Sequence, residues 1–562
     1  SRVEHTRKVI GASILVTGKL RKLGSVYELS LHVADAHRDA DVVLAGSAPG
    51  VLAVSAVRRI RDALDLAPQS APALATAPVD PYLAQTFARG MDAGMHGRWS
   101  DAKPYFALCA KEAPGFLPCR LRLGEAQTNT DQLGEAGKTL ESLLAEARSR
   151  DDTGMVANAL FQLAAVSLTR HEHATALQRL QEAAPLARKL GDPALQARIA
   201  LKSVDVASRL KRFDVADRDL QLARQLIQRH ALEDTKPDLH NSESFLASAR
   251  GDYPAAEKAD RDALAASTAL GNETNAAGDA YNLGLDLLRQ KKTADALPLL
   301  AYTYRMGGKL QNTRLEFSGG DNLAILLLNA GVDERVGPIA ERLLAIGRQQ
   351  KNPVWQALAL ILRGGSEWNA GARKAALASA RQSAALVDPS QDPDLWIALQ
   401  YNVAMAMVFE DPESLPAVSK QVDAVIAKQP RPEDYRYSQS LVRAMAAAPR
   451  DQATAVRDLA AAAAAAHPGD PTHGDLHRAA LVVALATGDV GAARAGLRDF
   501  DPSASHDADI LLLASQWAQQ QGDSTLAAKV AQRLKALRET ALAALRKSGP
   551  DAIADSEGVP GN

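Results

Sequence analysis

Three histidines, His467, His473 and His477, crowd one stretch together with Asp470 and Asp475, and His473 and His477 stand four residues apart. On a helix that spacing puts two imidazoles on one face, where they can hold Zn²⁺. The stretch 468–474 is rich in Pro and Gly, and the pattern sets no third ligand, so solvated turn histidines are expected and no metal is assigned. His171-Glu172-His173 falls in a turn between two helical stretches, without the spacing of a zinc-protease helix, and reads as surface. Cys109 and Cys119 flank Pro114 at equal distance, on helices that should run antiparallel. Buried free thiols are the expected state, because a disulfide needs an oxidising compartment. No phosphate-cradling glycine loop and no nucleophile elbow is present, and the carboxylates are scattered over helix faces. No catalytic residue, metal or cofactor is assigned, and the chain reads as a non-enzyme.

A second set of polar residues recurs in register. Asn282, Asn322 and Asn402 occupy one slot, fourteen residues before positions 296, 336 and 416, and Gln162 fills that slot before position 176. An asparagine amide carries both a donor and an acceptor, so it can pair with a peptide backbone without reading its side chains. The same pairing can instead tie neighbouring helices of one stack together, and the spacing shows only a shared face. Tyr281, Tyr401, Phe161, Trp368 and Arg289 lie on or near that face as candidate apolar pockets and one charge contact. Tyrosines at such positions are more often packing residues than ligand anchors.

What positions these residues is a helical array. The 562 residues carry 46% apolar and 23% charged side chains, a soluble globular balance. A net charge of −1 gives no electrostatic footprint for nucleic acid or an anionic membrane surface. No run of about 18 apolar residues is present to span a bilayer.

Residues 1–66 differ from the rest. Ala12–Leu20 reads as a strand, Val26–Ala34 alternates through Tyr27, Leu29, Leu31 and Val33 as a second, and Val42–Ala45 is a third. Gly50–Leu64 reads as an amphipathic helix, so a small α+β module is expected, then a linker over 67–80 containing Pro68, Pro72 and Pro78. The tail 549–562 is polar and expected to be disordered.

From Pro81 to about residue 548 the pattern is helical and repeats. Gly90, Gly97, Trp99, Ala102, Phe106 and Pro114 set the first unit, with small residues where two antiparallel helices cross and a proline that ends the second. The crossing residue steps from Ala102 to Ala136, then by forty through Ala176, Ala216, Ala256 and Ala296 to Val336, Ala376 and Pro416. Its partner twelve residues earlier runs Gly90, Gly124, Ala164, Val204, Ser244, Gly284, Ala324, Gly364 and Ala404, and later members fall near Ala455, Ala493 and Ala527. Gly191-Asp192-Pro193, Gly271-Asn272 and Asn352-Pro353 mark turns between units. About twelve helix pairs are expected.

These repeats resemble tetratricopeptide (TPR) proteins, and the forty-residue units are similar to the longer variant in bacterial regulators such as the maltose-regulon activator type and peptide-pheromone receptors. The opening module, Ile10 to Leu20 and the strands after it, loosely resembles the TolB-type N-terminal module and the small domains before TPR arrays in regulators that carry a winged-helix, kinase or cyclase effector. The resemblance implies a mainly α fold, a right-handed TPR α-solenoid after the small module. In peptide receptors and carboxylate-clamp members of the family, asparagines of the first helix hold the ligand, and this implies a like role for Asn282, Asn322 and Asn402.

The function expected is non-catalytic recognition of a peptide or protein partner in bacterial signal transduction. The alternative is a free-standing scaffold for a multiprotein complex. Neither nucleic acid nor membrane contact is expected of this region. Because residue 1 is Ser, the chain is read as a fragment that can lack an upstream effector or anchor, which leaves cytoplasmic and extracytoplasmic settings both open.

Overall fold

The computed structural model describes residues 15–23, 26–34, 39–46, isolated positions between 56 and 63, and 81–546 except 96, 131, 467–472 and most of 492–499. The expected helix 50–64 lies largely outside the described residues, as do the linker 67–80 and the tail 549–562.

The opening strands are β1 (Leu15–Leu23), β2 (Val26–Ala34) and β3 (Asp39–Gly46), an antiparallel meander in the order β1-β2-β3. Leu29 pairs with Leu20 and Leu44, Leu31 with Gly18 and Val42, and Val33 with Val16 and Ala40. The period of two therefore gathers these apolar positions on one face, where Val33 is fully buried.

The helices fall into two compact units, one comprising residues up to 291 with 306–312, the other 292–305 with 313 onward. The first holds α1 (Pro81–Met95), α2 (Trp99–Glu112), α3 (Leu117–Asn129), α4 (Leu133–Ser149), α5 (Thr153–Thr169), α6 (His173–Leu190), α7 (Pro193–Arg209), α8 (Phe213–His230), α9 (Lys236–Ala249), α10 (Tyr253–Ala269) and α11 (Glu273–Arg289). The division falls within α12 (Thr293–Lys309). The second holds α13 (Thr313–Asn329), α14 (Val336–Gln349), α15 (Pro353–Asn369), α16 (Arg373–Ala385), α17 (Pro393–Glu410), α18 (Leu415–Ile426), α19 (Arg436–Ala447), α20 (Gln452–Ala465), α21 (His473–Thr487), α22 (Ala508–Gln521) and α23 (Ser524–Arg546).

Within each unit successive helices pack as antiparallel pairs, and odd-numbered helices also touch the next odd-numbered one: α3 with α5 and α7 with α9 in the first, α13 with α15, α17 with α19 and α19 with α21 in the second. That adjacency is the mark of stacked TPR-type pairs, a solenoid in which each repeat buries its face on its neighbours. The small residues sit where the spacing requires them. Ala102, Ala136, Ala176, Ala216, Ala256 and Ala296 are fully buried. A methyl group on Gly90 would stand 2.7 Å from the Phe106 ring, and one on Gly124 2.5 Å from Leu140. At either point a methyl group would force the neighbouring side chain to shift.

Helix starts follow the same period. Asp152, Asp192, Asn272, Asn352 and Asp392 each accept a hydrogen bond from the backbone N–H three residues on, at 2.9–3.1 Å. Each such cap is worth about 1 kcal/mol.

The register departs from expectation at Pro416, which is exposed while Leu415 is fully buried. A 3-10 turn at Pro412–Ser414 precedes α18 and shifts the buried position by one. Ala527 is only half-buried, and Ala493 lies outside the described residues.

The cysteines correct the expectation of free thiols. The turn around Pro114 brings the Cα atoms of Cys109 and Cys119 to 5.8 Å, and their sulfurs are bonded. That separation is ordinary for a disulfide. Both residues are fully buried, the bond joining α2 to α3.

Candidate binding site

In the second unit a cavity of about 180 Å³ opens between α13, α15 and α17. It exists because the residues facing it are small: Gly364 and Gly365 of α15, Ala376 and Ala380 of α16, and Ala406 of α17. Leu328, Ile361, Trp368 and Met405 supply apolar walls. A methyl group on Gly365 would come 3.1 Å from Leu328 Cδ1, so the leucine would have to give by a few tenths of an ångström to admit it.

Three asparagines give the rim its polarity. Asn329, Asn369 and Asn402 all line the cavity, from the ends of α13 and α15 and the middle of α17. Asn402 donates Nδ2 to the Ala398 carbonyl at 3.1 Å, which leaves its Oδ1 open among the described residues. Asn369 donates to Asp333 Oδ1 at 2.8 Å, and its own Oδ1 is buried without a partner among the described residues. Asn329 makes no side-chain hydrogen bond among the described residues and presents its whole amide.

The far wall is an ion-pair cluster. Arg478 of α21 bonds Asp475 on its own helix and Asp509 at the start of α22, and both Arg478 and Asp509 line the cavity. Burial disfavours the Arg478 charge, but Asp509, Tyr401 and Asp475 outweigh it and hold the guanidinium firmly protonated. Burial, reinforced by Asp475, pushes the Tyr401 phenol well above its usual range.

Of the residues singled out in the sequence, Trp368 and Asn402 come together at this cavity. Trp368 is held by Arg373, whose guanidinium lies 3.6 Å from the ring centroid, and by the tilted Phe409 ring at 5.9 Å. Tyr401 points into the packing, buried, with its hydroxyl on the Asp475 carbonyl. Asn322, on α13 of the same unit, donates to the Ser318 carbonyl at 3.1 Å.

The others belong to the first unit. Phe161 is buried under Arg198, 4.9 Å from its centroid, and Gln162 beside it is buried too. Asn282 donates to Asn241 at 3.3 Å, and Asn241 donates to Asp279 at 2.7 Å, so this asparagine joins α11 to α9. Arg289 bonds Asp286, and Tyr281 of α11 is half-buried. A recess of about 530 Å³ between α6, α7 and α8 is rimmed by Gln181, Gln221, Arg188 and Arg218, none of which the repeat register had marked.

The histidine readings resolve in part. His467 and Asp470 lie outside the described residues, as does the side chain of His473. His477 stacks edge-on with Phe500, centroids 5.3 Å apart. His171 occupies the turn before α6 with φ +61°. Among the described residues no group of three or more His, Cys, Asp or Glu side chains is placed to hold a metal ion, and no helix is long and apolar enough to cross a membrane.

No protein-family model matches the chain, and no curated protein matches it. Among solved structures it is similar to the apo form of RapI, at 10% identity over 70% of this chain and 98% of that one, TM-score 0.46. A Rap protein complexed with competence and sporulation factor follows at 11% identity, 82% and 99% coverage and TM-score 0.28. Yeast Tom70 shows 13% identity, 85% and 96% coverage and TM-score 0.29.

Proposed function

We propose that this chain is a binding protein of bacterial signal transduction, and that the inner face of its second unit holds a segment of a peptide or protein partner. The observation that carries this is the cavity shared by Trp368, Asn329 and Asn402. Apolar cavities of about 150 Å³ accept a benzene-sized group, so this one suits a single leucine or phenylalanine side chain of the guest. The open amide of Asn329 and the open Oδ1 of Asn402 stand where they can pair with the guest's backbone N–H and C=O. Helical repeats suit such a role because each pair adds one more strip of inner face.

The joined Cys109 and Cys119 favour an oxidising, extracytoplasmic setting for the chain, with an upstream anchor or effector as the remaining part of the proposal.

A peptide-library selection tests the binding reading. Peptides recovered on the wild-type chain are measured against Asn402→Ala, Asn322→Ala, their double variant and Ala406→Leu, which fills the cavity. Asn402→Ala and Ala406→Leu are expected to weaken binding about tenfold at an unchanged urea midpoint, the scale of one or two lost contacts. Unchanged affinity in both would reject the site.

A further inference from the structure

The second unit closes on itself. Arg538 of α23 donates Nη1 to the Gly331 carbonyl at 2.6 Å and pairs its two terminal nitrogens, Nη2 and Nη1, with Glu334 at 2.6 and 3.1 Å, although the partners lie more than two hundred residues apart in sequence. A methyl group on Gly331 would touch Ala508, the first residue of α22, at 3.4 Å, and α22 also reaches α13 and α15. The corner that Arg538 grips is itself fixed to α15, since Asn369 and Ser366 both donate to Asp333.

The two joints that hold the last helix pair differ in kind. On the side of α21 the joint is deeply buried: Ile510, Leu511, Leu513 and Ala514 are at most 2% exposed within one continuous core, and the Arg478–Asp509 pair beside them has side chains only 16% and 20% exposed. On the side of the Gly331 corner α22 makes a smaller contact with α13 and α15, and α23 is held by a bidentate charged pair with side chains 42% and 54% exposed, which salt screens. If the unit opens, it opens there. The cavity spans that seam, with Leu328 and Asn329 from the α13 side and Asp509 from the α22 side.

We infer that the Arg538–Glu334 contact is a clasp that shuts the C-terminal helix pair α22–α23 against the α13–α14 corner, and that its release widens the mouth of the cavity to admit the guest. The inference of a guest rests on the function proposed above, but the clasp itself is testable without any ligand. Releasing it moves Asp509 away from Asn329 while α22 stays seated on α21.

The test uses the full chain as Glu334→Arg, Arg538→Glu and the double charge swap, followed by hydrogen–deuterium exchange. Each single variant is expected to raise exchange about tenfold or more over 326–335 and 508–523, with the core of α15–α19 unchanged. The double swap should return both segments to within about threefold of wild type. In each background Ala406→Cys reports on the cavity, and its alkylation by iodoacetamide should accelerate about tenfold in the single variants and fall back in the swap. Wild type in 1 M NaCl should resemble the single variants. Exchange that does not change in the single variants, or that the swap fails to recover, overturns the clasp. Unchanged peptide affinity in Asn402→Ala and Ala406→Leu with an intact clasp response rejects the site and keeps the clasp, whereas weakened affinity there with no clasp response rejects the clasp and keeps the site.

Discussion

The Tyr401 hydroxyl donates to the backbone carbonyl of Asp475 across 3.0 Å, joining α17 to α21 over seventy-four residues of sequence. The tyrosine is buried at the edge of the slot that also carries Asn402. Its ring packs inward while Asn402 lines the cavity. Tyr401→Phe is therefore expected to act on stability. Removing the donor loses one hydrogen bond between α17 and α21, a cost of about 1 kcal/mol. Urea unfolding followed by tryptophan fluorescence should show this loss, with peptide affinity unchanged.

Asp260 predicts an inverted pH dependence for the first unit. It is 1% exposed, and burial, together with the nearby Asp286 and Asp279, raises its carboxyl to about 7 despite a hydrogen bond from Ser244. Burial raises Asp279 as well. A raised folded value means that the folded chain holds a proton the unfolded chain has lost. Stability from this group is full below the unfolded value of 3.8 and declines as pH rises through about 7. The slope is at most about 1.4 kcal/mol per pH unit. Glu146 and Glu243, whose values are lowered, act oppositely but only below about pH 4.5. Thermal unfolding between pH 5 and 8 should show a falling midpoint, and Asp260→Asn should flatten it and stabilise the chain at pH 8.

The disulfide makes a direct chemical prediction. Thiol titration of the unfolded, unreduced chain should find no free thiol, since Cys109 and Cys119 account for both cysteines. Reduction should release two and destabilise the first unit by about 2–3 kcal/mol, the usual scale for a short closed loop. Two thiols before reduction would remove the support for an oxidising compartment.

Repeat geometry was legible because it is local. Gly90 against Phe106, Gly124 against Leu140 and the caps at Asp192, Asn272 and Asn352 each involve residues within one repeat or at its turn. Such contacts repeat with the chain's own period, so spacing reveals them. Of the cavity's lining, Trp368 and Asn402 were marked in the sequence as site residues, and Gly364 and Ala376 only as helix-crossing positions. Asn369, Asn329, Arg478 and Asp509 join it through the curl of the unit, which sums small rotations over several pairs. No period links Arg538 to Glu334 or Tyr401 to Asp475. Asn282 illustrates the other limit. It shares its slot with Asn402, yet a neighbouring Asn241 engages its amide.

Arg478 tests how the far wall of the cavity is held. Its side chain is 16% exposed and bonds two carboxylates, Asp475 at 42% and Asp509 at 20% exposure. Replacing one partner of a buried pair strands the remaining charge, whereas replacing the whole group by apolar or neutral residues is often tolerated. Arg478→Leu should therefore destabilise the second unit by about 3–5 kcal/mol. Adding Asp475→Asn and Asp509→Asn to that variant should recover most of the loss, because no uncompensated charge remains. Arg478→Lys keeps the charge but cannot span both carboxylates with a planar fork, so it should fall between wild type and Arg478→Leu. Equilibrium urea unfolding of the four proteins orders them. If the triple variant is no more stable than Arg478→Leu, the arginine contributes by packing, and the cavity wall owes its place to the side chain's bulk.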